Sequence, residues 1–421
     1  MPVSDKIAVQ VDGRELILTN LSKVLYQVDG FTKAEVLDYY QRISAVLLPH
    51  VAGRPMTLKR YPNGVDGQSF FAKHAVAGRP DWVRTEEIAS RSSRSRAPGE
   101  PIEYVVIDDL PTLMWAANLA ALELHVPMWR FPEAGAGAGS GQPAPEHGLS
   151  PDLLVFDLDP GAPATVVDCC RVAEALRPIL AEADLDALPK TSGGKGLQLY
   201  APIRDRGLTA EQASALAKDF AERLERELPR LVVSRMTKSL RPGKVLIDWS
   251  QNNGSKTTVA PYSLRARERP TVSTPVTWDE VTDCRAPQDM YFTAPDVLNR
   301  VETRGDLFAP LLATLRALLL CPCRKVSPGR HIRHIERIRF EPDLAAALGH
   351  EEERVGSQRG AVDDPPVADH GLELFPAHPR VAQAELFGLQ VGLALGEVRG
   401  QPVLAVLVGH AVRDGQQAEA R

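Results

Sequence analysis

The sequence predicts an α/β fold with mixed central sheets, because segments typical of strands alternate along the chain with segments typical of helices. LVFDLDPG, LQLYAPI and KVLIDWS are short apolar runs bounded by Gly, Pro or charged residues, as buried strands are. Longer segments with apolar residues at helical spacing lie between them. The 421 residues are 44% hydrophobic, which is enough for a substantial core.

In the first third of the chain, RELILTN predicts a strand and FTKAEVLDYYQRISAVLLPHV predicts a helix that begins with a capping box of Thr32 and Glu35. PMTLKRYP and EYVVIDD are typical of strands. The long apolar run LPTLMWAANLAALELHV predicts one buried helix that carries His125 near its end. The Gly/Ala/Pro-rich segment EAGAGAGSGQPAPEHG predicts a surface loop.

In the middle of the chain, the LVFDLDPG strand is followed by TVVDCCRVAEALRPILAEA, which predicts a helix that Pro178 bends or ends. The loop PKTSGGKG and the strand LQLYAPI come next. A helix is predicted from Thr209 to Leu228, with a capping box of Thr209 and Gln212, and the strand KVLIDWS follows.

Beyond about Leu320 the sequence predicts no fold. CPCRKVSPGRHIRH brings two Cys and two His close together, but their spacing is not that of common zinc sites. We expect an unstructured extension rather than a metal site.

Composition limits the classes of function. A formal net charge of −5 and a pI near 6.1 indicate no overall positive field, so nucleic acid would have to be bound by a local basic patch. Five cysteines form no even disulfide framework, and no secretory segment or membrane span is evident. We therefore expect a soluble cytoplasmic protein with no membrane partner.

Acidic residues interrupt apolar strands at three positions. Asp157 and Asp159 are two residues apart in one strand, so their side chains point to the same face. Such a pair can be solvated at a strand end, share a proton, or hold a cation between its carboxylates. Asp248 interrupts KVLIDWS in the same way, although an ion pair with Lys244 or Arg241 would also explain it. If the two strands are neighbours, the three carboxylates could hold one or two divalent cations for phosphoryl transfer.

Two further features suit a phosphate ligand. In KTSGGKG three glycines allow backbone N–H groups to approach an anion, beside the Ser192 hydroxyl and the Lys195 ammonium. Taken alone, such a loop is more often plain turn chemistry. Residues 223–270 form a local basic stretch, and KRYPNGVDGQSFFAKH sets cations around Phe70 and Phe71. The alternatives are a solvated face and an ordinary half-buried aromatic pair.

Together these motifs resemble the polymerase domain of bacterial DNA ligase D, a member of the archaeo-eukaryotic primase superfamily that acts in non-homologous end joining. The resemblance extends from about Val11 to Leu312 and follows the family order. Its motifs are LTNLSKVLY, KRYPNGVDGQSFF, LVFDLDPG, TSGGKGLQLY, MTKSLRPGKVLIDWSQNNGSKTTVAPYSLRAR and VSTPVTWDE. It implies a primase-polymerase fold in residues 1–315 and an extension, expected to be poorly ordered, in residues 316–421.

The resemblance also implies roles for single residues. Asp157, Asp159 and Asp248 would be the catalytic residues and bind two Mn²⁺ or Mg²⁺ ions. The residues that would bind the nucleoside triphosphate are His125, Ser192, Gly194, Lys195, Gln198, Gln251 and Arg265. The residues that would bind a downstream 5′ phosphate and the template are Asn20, Lys23, Lys33, Lys59, Phe70 and Phe71.

The sequence departs from the family at two points. Many relatives have His where this chain has Gln198, so a neutral amide replaces a proton-donating group there. No ligase adenylation signature of the Lys-x-Asp-Gly kind is present, so we expect a separate ligase and an end-binding protein as partners.

The leading hypothesis is a metal-dependent DNA or RNA nucleotidyltransferase, a gap-filling polymerase or primase that acts at gapped or broken DNA. The resemblance implies a preference for ribonucleotides. An alternative, favoured only by Gln198, is a catalytically weak protein that binds or bridges DNA ends through their 5′ phosphate. A metal phosphohydrolase is disfavoured because no His-rich set accompanies the three acids.

Overall fold

The computed structural model describes residues 6–89, 101–131, 144–145, 150–203, 206–312, 385–386, 389–398 and 401–410. In chain order the strands are β1 (Lys6–Val11), β2 (Arg14–Thr19), β3 (Val24–Tyr26), β4 (Phe31–Thr32), β5 (Pro55–Arg60), β6 (Phe70–Ala72), β7 (Thr85–Ala89), β8 (Pro101–Val106), β9 (Ala121–Val126), β10 (Ala144–Pro145), β11 (Leu153–Pro160), β12 (Leu188–Thr191), β13 (Leu197–Pro202), β14 (Val232–Val233), β15 (Val245–Asp248), β16 (Thr258–Val259), β17 (Leu264–Ala266), β18 (Pro270–Val272), β19 (Glu385–Leu386), β20 (Leu389–Val398) and β21 (Gln401–His410). The α-helices are α1 (Lys33–Val51), α2 (Leu110–Asn118), α3 (Val166–Ala181), α4 (Ala210–Glu227), α5 (Trp278–Thr282) and α6 (Ala294–Arg304).

Helix capping occurs where the sequence predicts it. The Thr32 hydroxyl accepts a hydrogen bond from the Glu35 backbone N–H, and the Glu35 carboxylate accepts one from the Thr32 backbone N–H, so α1 begins as expected. Thr209 and Gln212 form the same arrangement before α4. Helix α3 continues past Pro178 to Ala181, so the proline lies in its last turn.

The first sheet has the strand order β10–β7–β8–β5–β9–β16, with β6 paired to the free part of β5. Its pairs are antiparallel except for β10 with β7. Helices α1 and α2 pack on it, and they bury Tyr40, Ile43 and Leu113 in a core shared with Leu122 and Leu124 of β9. This sheet supplies one wall of the candidate site.

The second sheet has the strand order β12–β13–β11–β15–β14, and β14 with β15 is its parallel pair. Leu154, Phe156 and Leu158 of β11 belong to the core that includes α3 and α4. Because side chains alternate along a strand, Asp157 and Asp159 point to the opposite face. Helices α3 and α4 therefore cover the apolar face of this sheet. Asp157 and Asp159 lie on the face that these helices do not cover.

The prediction of one helix over residues 110–126 is wrong. Helix α2 ends at Asn118, Ala120 has a positive φ of 56°, and Ala121–Val126 form β9 between β5 and β16. A strand in the middle of a sheet with both faces covered has no apolar–polar alternation, so its sequence resembles a buried helix. His125 consequently lies on a strand.

The hairpin of β17 and β18 lies between the two sheets. The Tyr26 hydroxyl donates to the Arg265 carbonyl, 3.1 Å away, and the Thr191 N–H donates to the Thr274 carbonyl, 2.8 Å away. Arg265 of β17 contacts elements of both sheets, because its Nε lies 3.4 Å from Glu123 of β9 and its guanidinium donates to the carbonyl of Ser192, just after β12, at 2.6 Å.

The C-terminal segment is a separate unit from Pro342 onward. Its described residues form the antiparallel strands β19, β20 and β21, in register from Leu389 opposite His410 to Val398 opposite Gln401. The Cys/His-rich segment 321–334 and most of the Gly/Ala/Pro-rich segment 133–148 lie outside the described residues. A domain boundary at residue 315 and poor order after it stay predictions. None of the described helices is both long and apolar enough to cross a membrane.

Candidate functional site

Three carboxylates meet on one face of the second sheet. Asp157 of β11 is the direct antiparallel partner of Asp248 of β15, and Asp159 lies two residues further along β11. Directly opposed residues of antiparallel strands present their side chains to the same face, with Cβ atoms about 5 Å apart. The sequence did not show whether the two strands that carry these acids are adjacent. The structure shows that β11 and β15 are neighbours.

The carboxylates repel one another at this face. Burial and the nearby charge of Asp159 raise the pKa of Asp157 to about 7, and burial and the charge of Asp248 raise the pKa of Asp159. No three His, Cys, Asp or Glu side chains in the described residues form a ready-made cluster for a metal ion. Hard carboxylate oxygens are nevertheless the donors that Mg²⁺ and Mn²⁺ prefer, and a cation would relieve the repulsion.

Asp248 is held by the turn that follows it. Its Oδ1 accepts from the Ser250 N–H at 3.0 Å and from the Ser250 hydroxyl at 2.5 Å, and its Oδ2 accepts from the Gln251 amide at 2.9 Å. Lys244 and Arg241, the alternative ion-pair partners, instead donate to the backbone carbonyls of Pro229 and Met236. The turn therefore fixes the orientation of the Asp248 carboxylate.

The Gly-rich loop between β12 and β13 is held by Ser192. The Ser192 hydroxyl accepts from the N–H groups of Gly194 at 3.3 Å and Gly196 at 3.2 Å, and its carbonyl accepts from Arg265 at 2.6 Å. The loop amides thus point to Ser192, while Lys195 at the tip is exposed. Packing explains two of the glycines, because a Cβ on Gly193 would lie 2.7 Å from the Val272 backbone and one on Gly196 would lie 2.3 Å from the Leu158 carbonyl oxygen.

We expect Gly196→Ala to destabilise the protein by about 1–3 kcal/mol, because the new methyl group overlaps the backbone of β11. The same methyl group would lie 3.5 Å from Asp159, so the site should be disturbed as well. Urea denaturation followed by circular dichroism measures the loss. Gly194→Ala is the control, since that position has no positive φ and its new methyl group would meet only the movable end of the Arg267 side chain. Equal losses in the two variants would contradict the steric argument.

Glu123 is a buried acid that the sequence reasoning missed. It lies on β9, only 2% exposed, and accepts from His125 Nε2 at 2.9 Å, the Tyr61 hydroxyl at 3.3 Å and the Ala266 N–H at 3.2 Å. Two cations face it, Arg265 Nε at 3.4 Å and Lys59 Nζ at 3.7 Å. An acid inside the apolar run LELHV is the same signal that identified Asp157, but assigning the run to a helix hid it.

The residues around Glu123 determine the pKa values of Glu123 and His125 on β9. Burial alone would raise the pKa of Glu123, but the His125 hydrogen bond and the charges of Arg265 and Lys59 lower it to about 2. Burial lowers the pKa of His125, against the opposing effect of Glu123. The carboxylate is therefore ionised at neutral pH and faces cations predicted to bind both nucleotide and DNA.

Gln198 lies beside the acids rather than on the loop surface. It is directly opposite Asp157 across β11 and β13, is 3% exposed, and donates to Asp157 Oδ1 at 2.9 Å. Its Oε1 accepts from the buried Lys190 ammonium at 2.5 Å. This amide is therefore held between Lys190 and Asp157.

Three of the residues predicted for the 5′ phosphate lie where β2 leads into α1, whereas Lys59 lies on β5 and faces Glu123. Asn20 is exposed with a φ of 54°, Lys23 donates to Asn63 at 3.0 Å, and Lys33 donates to the Thr19 carbonyl at 2.6 Å. Lys33 is 4% exposed, and burial together with the charge of Lys23 lowers its pKa to about 8.

The aromatic pair is exposed beside this wall. Phe70 is 45% exposed and Phe71 58% exposed. Lys59 Nζ lies 5.4 Å from the Phe71 ring centroid, and the Phe71 and His125 rings meet edge-on at 5.8 Å. Residues predicted for the template and for the nucleotide are therefore in contact.

The chain is similar to LigD proteins. A family model described as LigD, primase-polymerase domain, matches residues 32–308. The multifunctional non-homologous end joining protein LigD of Mycolicibacterium smegmatis is 45% identical over 294 residues, which are 70% of this chain and 36% of that protein. The bifunctional LigD of Bacillus subtilis is 30% identical over 291 residues, 69% of this chain and 43% of that protein. This chain thus spans less than half the length of either relative.

A solved structure agrees with these matches. The polymerase domain of Mycobacterium tuberculosis ligase D in complex with DNA aligns with a TM-score of 0.64 and 45% identity, over 71% of this chain and 98% of that domain.

Proposed function

Since this chain belongs to the LigD primase-polymerase domain family, we propose that it is a metal-dependent nucleotidyltransferase that extends or initiates strands at gapped or broken DNA. The resemblance and the mixed α/β fold predicted from the sequence are confirmed. The relatives are non-homologous end joining proteins, which supports a role in that kind of bacterial DNA repair.

The observation that carries the proposal is the placement of Asp157 directly opposite Asp248, with Asp159 on the same face. These three carboxylates would hold two Mn²⁺ or Mg²⁺ ions, and the raised pKa of Asp157 is what a site awaiting a cation should show. When bound, such ions acidify a primer 3′ hydroxyl and neutralise charge on the triphosphate.

The chain's own cations would orient the triphosphate. Arg265 is held against the Ser192 carbonyl and Glu123, so its guanidinium has a fixed position, and exposed Lys195 adds charge at the loop tip. Gln251 lies beside the carboxylates and donates to Asp248 from the turn after β15, whereas His125 on β9 is bound to Glu123 beside Arg265. We propose that these four residues form the surface that binds the nucleoside triphosphate.

Asn20, Lys23, Lys33 and Lys59 would bind the downstream 5′ phosphate, and Phe70 and Phe71 would stack on the template where it turns. The exposure of both rings supports stacking, because every base offers a face to an aromatic side chain. A preference for ribonucleotides and action together with a DNA ligase activity and an end-binding partner complete the proposal.

We expect the preference for a 5′-phosphorylated downstream strand to weaken as pH rises through about 8, the pKa of Lys33. An ordinary lysine has a pKa of 10.5 and would stay charged over this pH range. Lys33, with a pKa of about 8, loses its proton at lower pH, and with the proton it loses the attraction to the phosphate. Fluorescence anisotropy of gapped DNA from pH 7 to 9.5 measures this, and DNA with a 5′ hydroxyl is the control. A preference that stays constant to pH 9.5 would contradict it.

The proposed activity is tested with a labelled primer next to a short gap, Mn²⁺, and either ribonucleotides or deoxyribonucleotides. We expect incorporation with release of pyrophosphate, faster with ribonucleotides and with a downstream 5′ phosphate. Phosphate-dependent DNA binding with no incorporation would favour the end-binding alternative. Release of inorganic phosphate would instead indicate a phosphohydrolase.

A further inference from the structure

Lys190 is a fully buried lysine with no role in the proposed function. Burial lowers the pKa of its side chain well below the ordinary lysine value, and the negative charge of Asp157 opposes this shift. It lies on β12 with no solvent exposure, and its ammonium donates to Gln198 Oε1 at 2.5 Å and to the Ser273 hydroxyl at 2.5 Å. The same ammonium lies 5.3 Å from the centroid of the Tyr200 ring. Burying a charge in a sheet interior is costly, so such a lysine calls for a physical explanation.

The strand register places Lys190 in a row with the catalytic acids. Lys190 is opposite Gln198, Gln198 is opposite Asp157, and Asp157 is opposite Asp248, so the four side chains cross β12, β13, β11 and β15 on one face. Gln198 is the link between the lysine and the first acid.

The hydrogen bonds in this row fix the orientation of the Gln198 amide. The Ser273 hydroxyl donates its proton to the Thr191 carbonyl, 3.1 Å away, so it must accept from Lys190. Lys190 donates to the Gln198 carbonyl oxygen, and a carboxylate oxygen can only accept, so the Gln198 NH₂ group faces Asp157. An amide turned the other way would set its NH₂ against the ammonium and its oxygen against the carboxylate.

Resting on the function proposed above, we propose that Lys190 is a positioning residue that acts through Gln198 to orient the Asp157 carboxylate. One oxygen of Asp157 is held by the Gln198 NH₂ group, which leaves the other oxygen directed to the face shared with Asp159 and Asp248. Groups that orient a metal ligand in this way typically change metal affinity about 10- to 100-fold when they are removed.

The test is a double-mutant cycle on the full chain with Lys190→Met, Gln198→Leu and the combined variant. The readout is the dissociation constant of Mn²⁺ alone, measured from the electron paramagnetic resonance signal of the free ion. We expect each single variant to weaken Mn²⁺ binding about tenfold and the combined variant to be no weaker than either. Lys218→Met, at an exposed position on α4, is the control and should leave the affinity unchanged.

The cycle separates a positioning role from a merely structural one. Losses that add in the combined variant, or unchanged Mn²⁺ affinity in Lys190→Met, would overturn the inference. If Lys190→Met does not fold, Gln198→His decides: a neutral imidazole can accept from Lys190 and donate to Asp157, so it should retain the affinity that Gln198→Leu loses. Equal losses in those two variants would also overturn it.

Failure of the proposed function would look different. In that case the wild type would bind no Mn²⁺, or Asp157→Ala would bind it as well as the wild type does.

Discussion

Asp159→Ala is expected to lower nucleotide incorporation at a gap by at least about 10³-fold, equivalent to about 4 kcal/mol of transition-state stabilisation. Asp159 is the exposed member of the carboxylate face, and its removal leaves Asp157 and Asp248 as the remaining oxygen donors. Binding of gapped DNA should not weaken, because the variant removes a negative charge from a surface that must accept phosphates.

Single-turnover extension of a labelled primer and anisotropy with the same DNA measure the two effects on one substrate. Asp186→Ala is a suitable control, since Asp186 is an exposed acid just before β12. Substantial extension by Asp159→Ala would show that this carboxylate is not catalytic. Loss of both extension and DNA binding would point to a folding defect, which circular dichroism can identify.

Glu123→Gln is expected to lower incorporation about 100-fold and the free energy of unfolding by about 3 kcal/mol, because it leaves Arg265 and Lys59 without their buried counterion. The glutamine oxygen can still accept from the Tyr61 hydroxyl and the Ala266 N–H, but its NH₂ group replaces the oxygen that accepts from His125. The shape is kept, so the loss should come from the charge and from the His125 hydrogen bond. His125 should also titrate at lower pH, since Glu123 favours its charged form.

The pH dependence of stability gives this prediction a definite sign. The pKa of Glu123 is about 2 in the folded protein against an ordinary value of 4.5, so its contribution to stability is complete above pH 4.5 and is lost as pH falls toward 2. The wild type should lose stability over that range, and Glu123→Gln should lack this component.

Chemical denaturation at several pH values measures the pH-dependent loss of stability. NMR titration measures whether the pKa of His125 is lower in Glu123→Gln than in the wild type. Glu103→Gln is the matched control. Glu103 lies on β8 of the same sheet and pairs with Arg79, but both side chains are about one quarter exposed, so the loss should be below about 1 kcal/mol. If the two variants lose the same stability, Glu123 is not a buried counterion in solution.

Local chemistry explains what could be predicted from the sequence. Thr32 with Glu35 and Thr209 with Gln212 mark helix starts because a capping box involves residues three apart. The alternation of Leu154, Phe156 and Leu158 with Asp157 and Asp159 assigns the two faces of β11, because side chains alternate in any strand. The Asp157, Asp159 and Asp248 hypothesis came from the same local signal.

The run from Leu110 to Val126 shows where local chemistry is insufficient. Its apolar residues suit a buried helix and a central strand equally well, and the packing around β9 selects the strand. In the strand, Glu123 and His125 lie on one face. Because residues 110–126 were predicted to be one helix, Glu123 was not identified as a buried counterion.

The sequence by itself determined the family, the α/β class, the helix starts and the acids that break the strands, because each depends on residues close together in the chain. Only the tertiary structure decided that Asp157 lies opposite Asp248 and Gln198, that Lys190 completes this row, and that Glu123 faces Arg265 and Lys59. Strand order and register follow from contacts between residues far apart in the chain, such as Glu123 and Ala266, which are 143 positions apart, and no local pattern encodes such contacts.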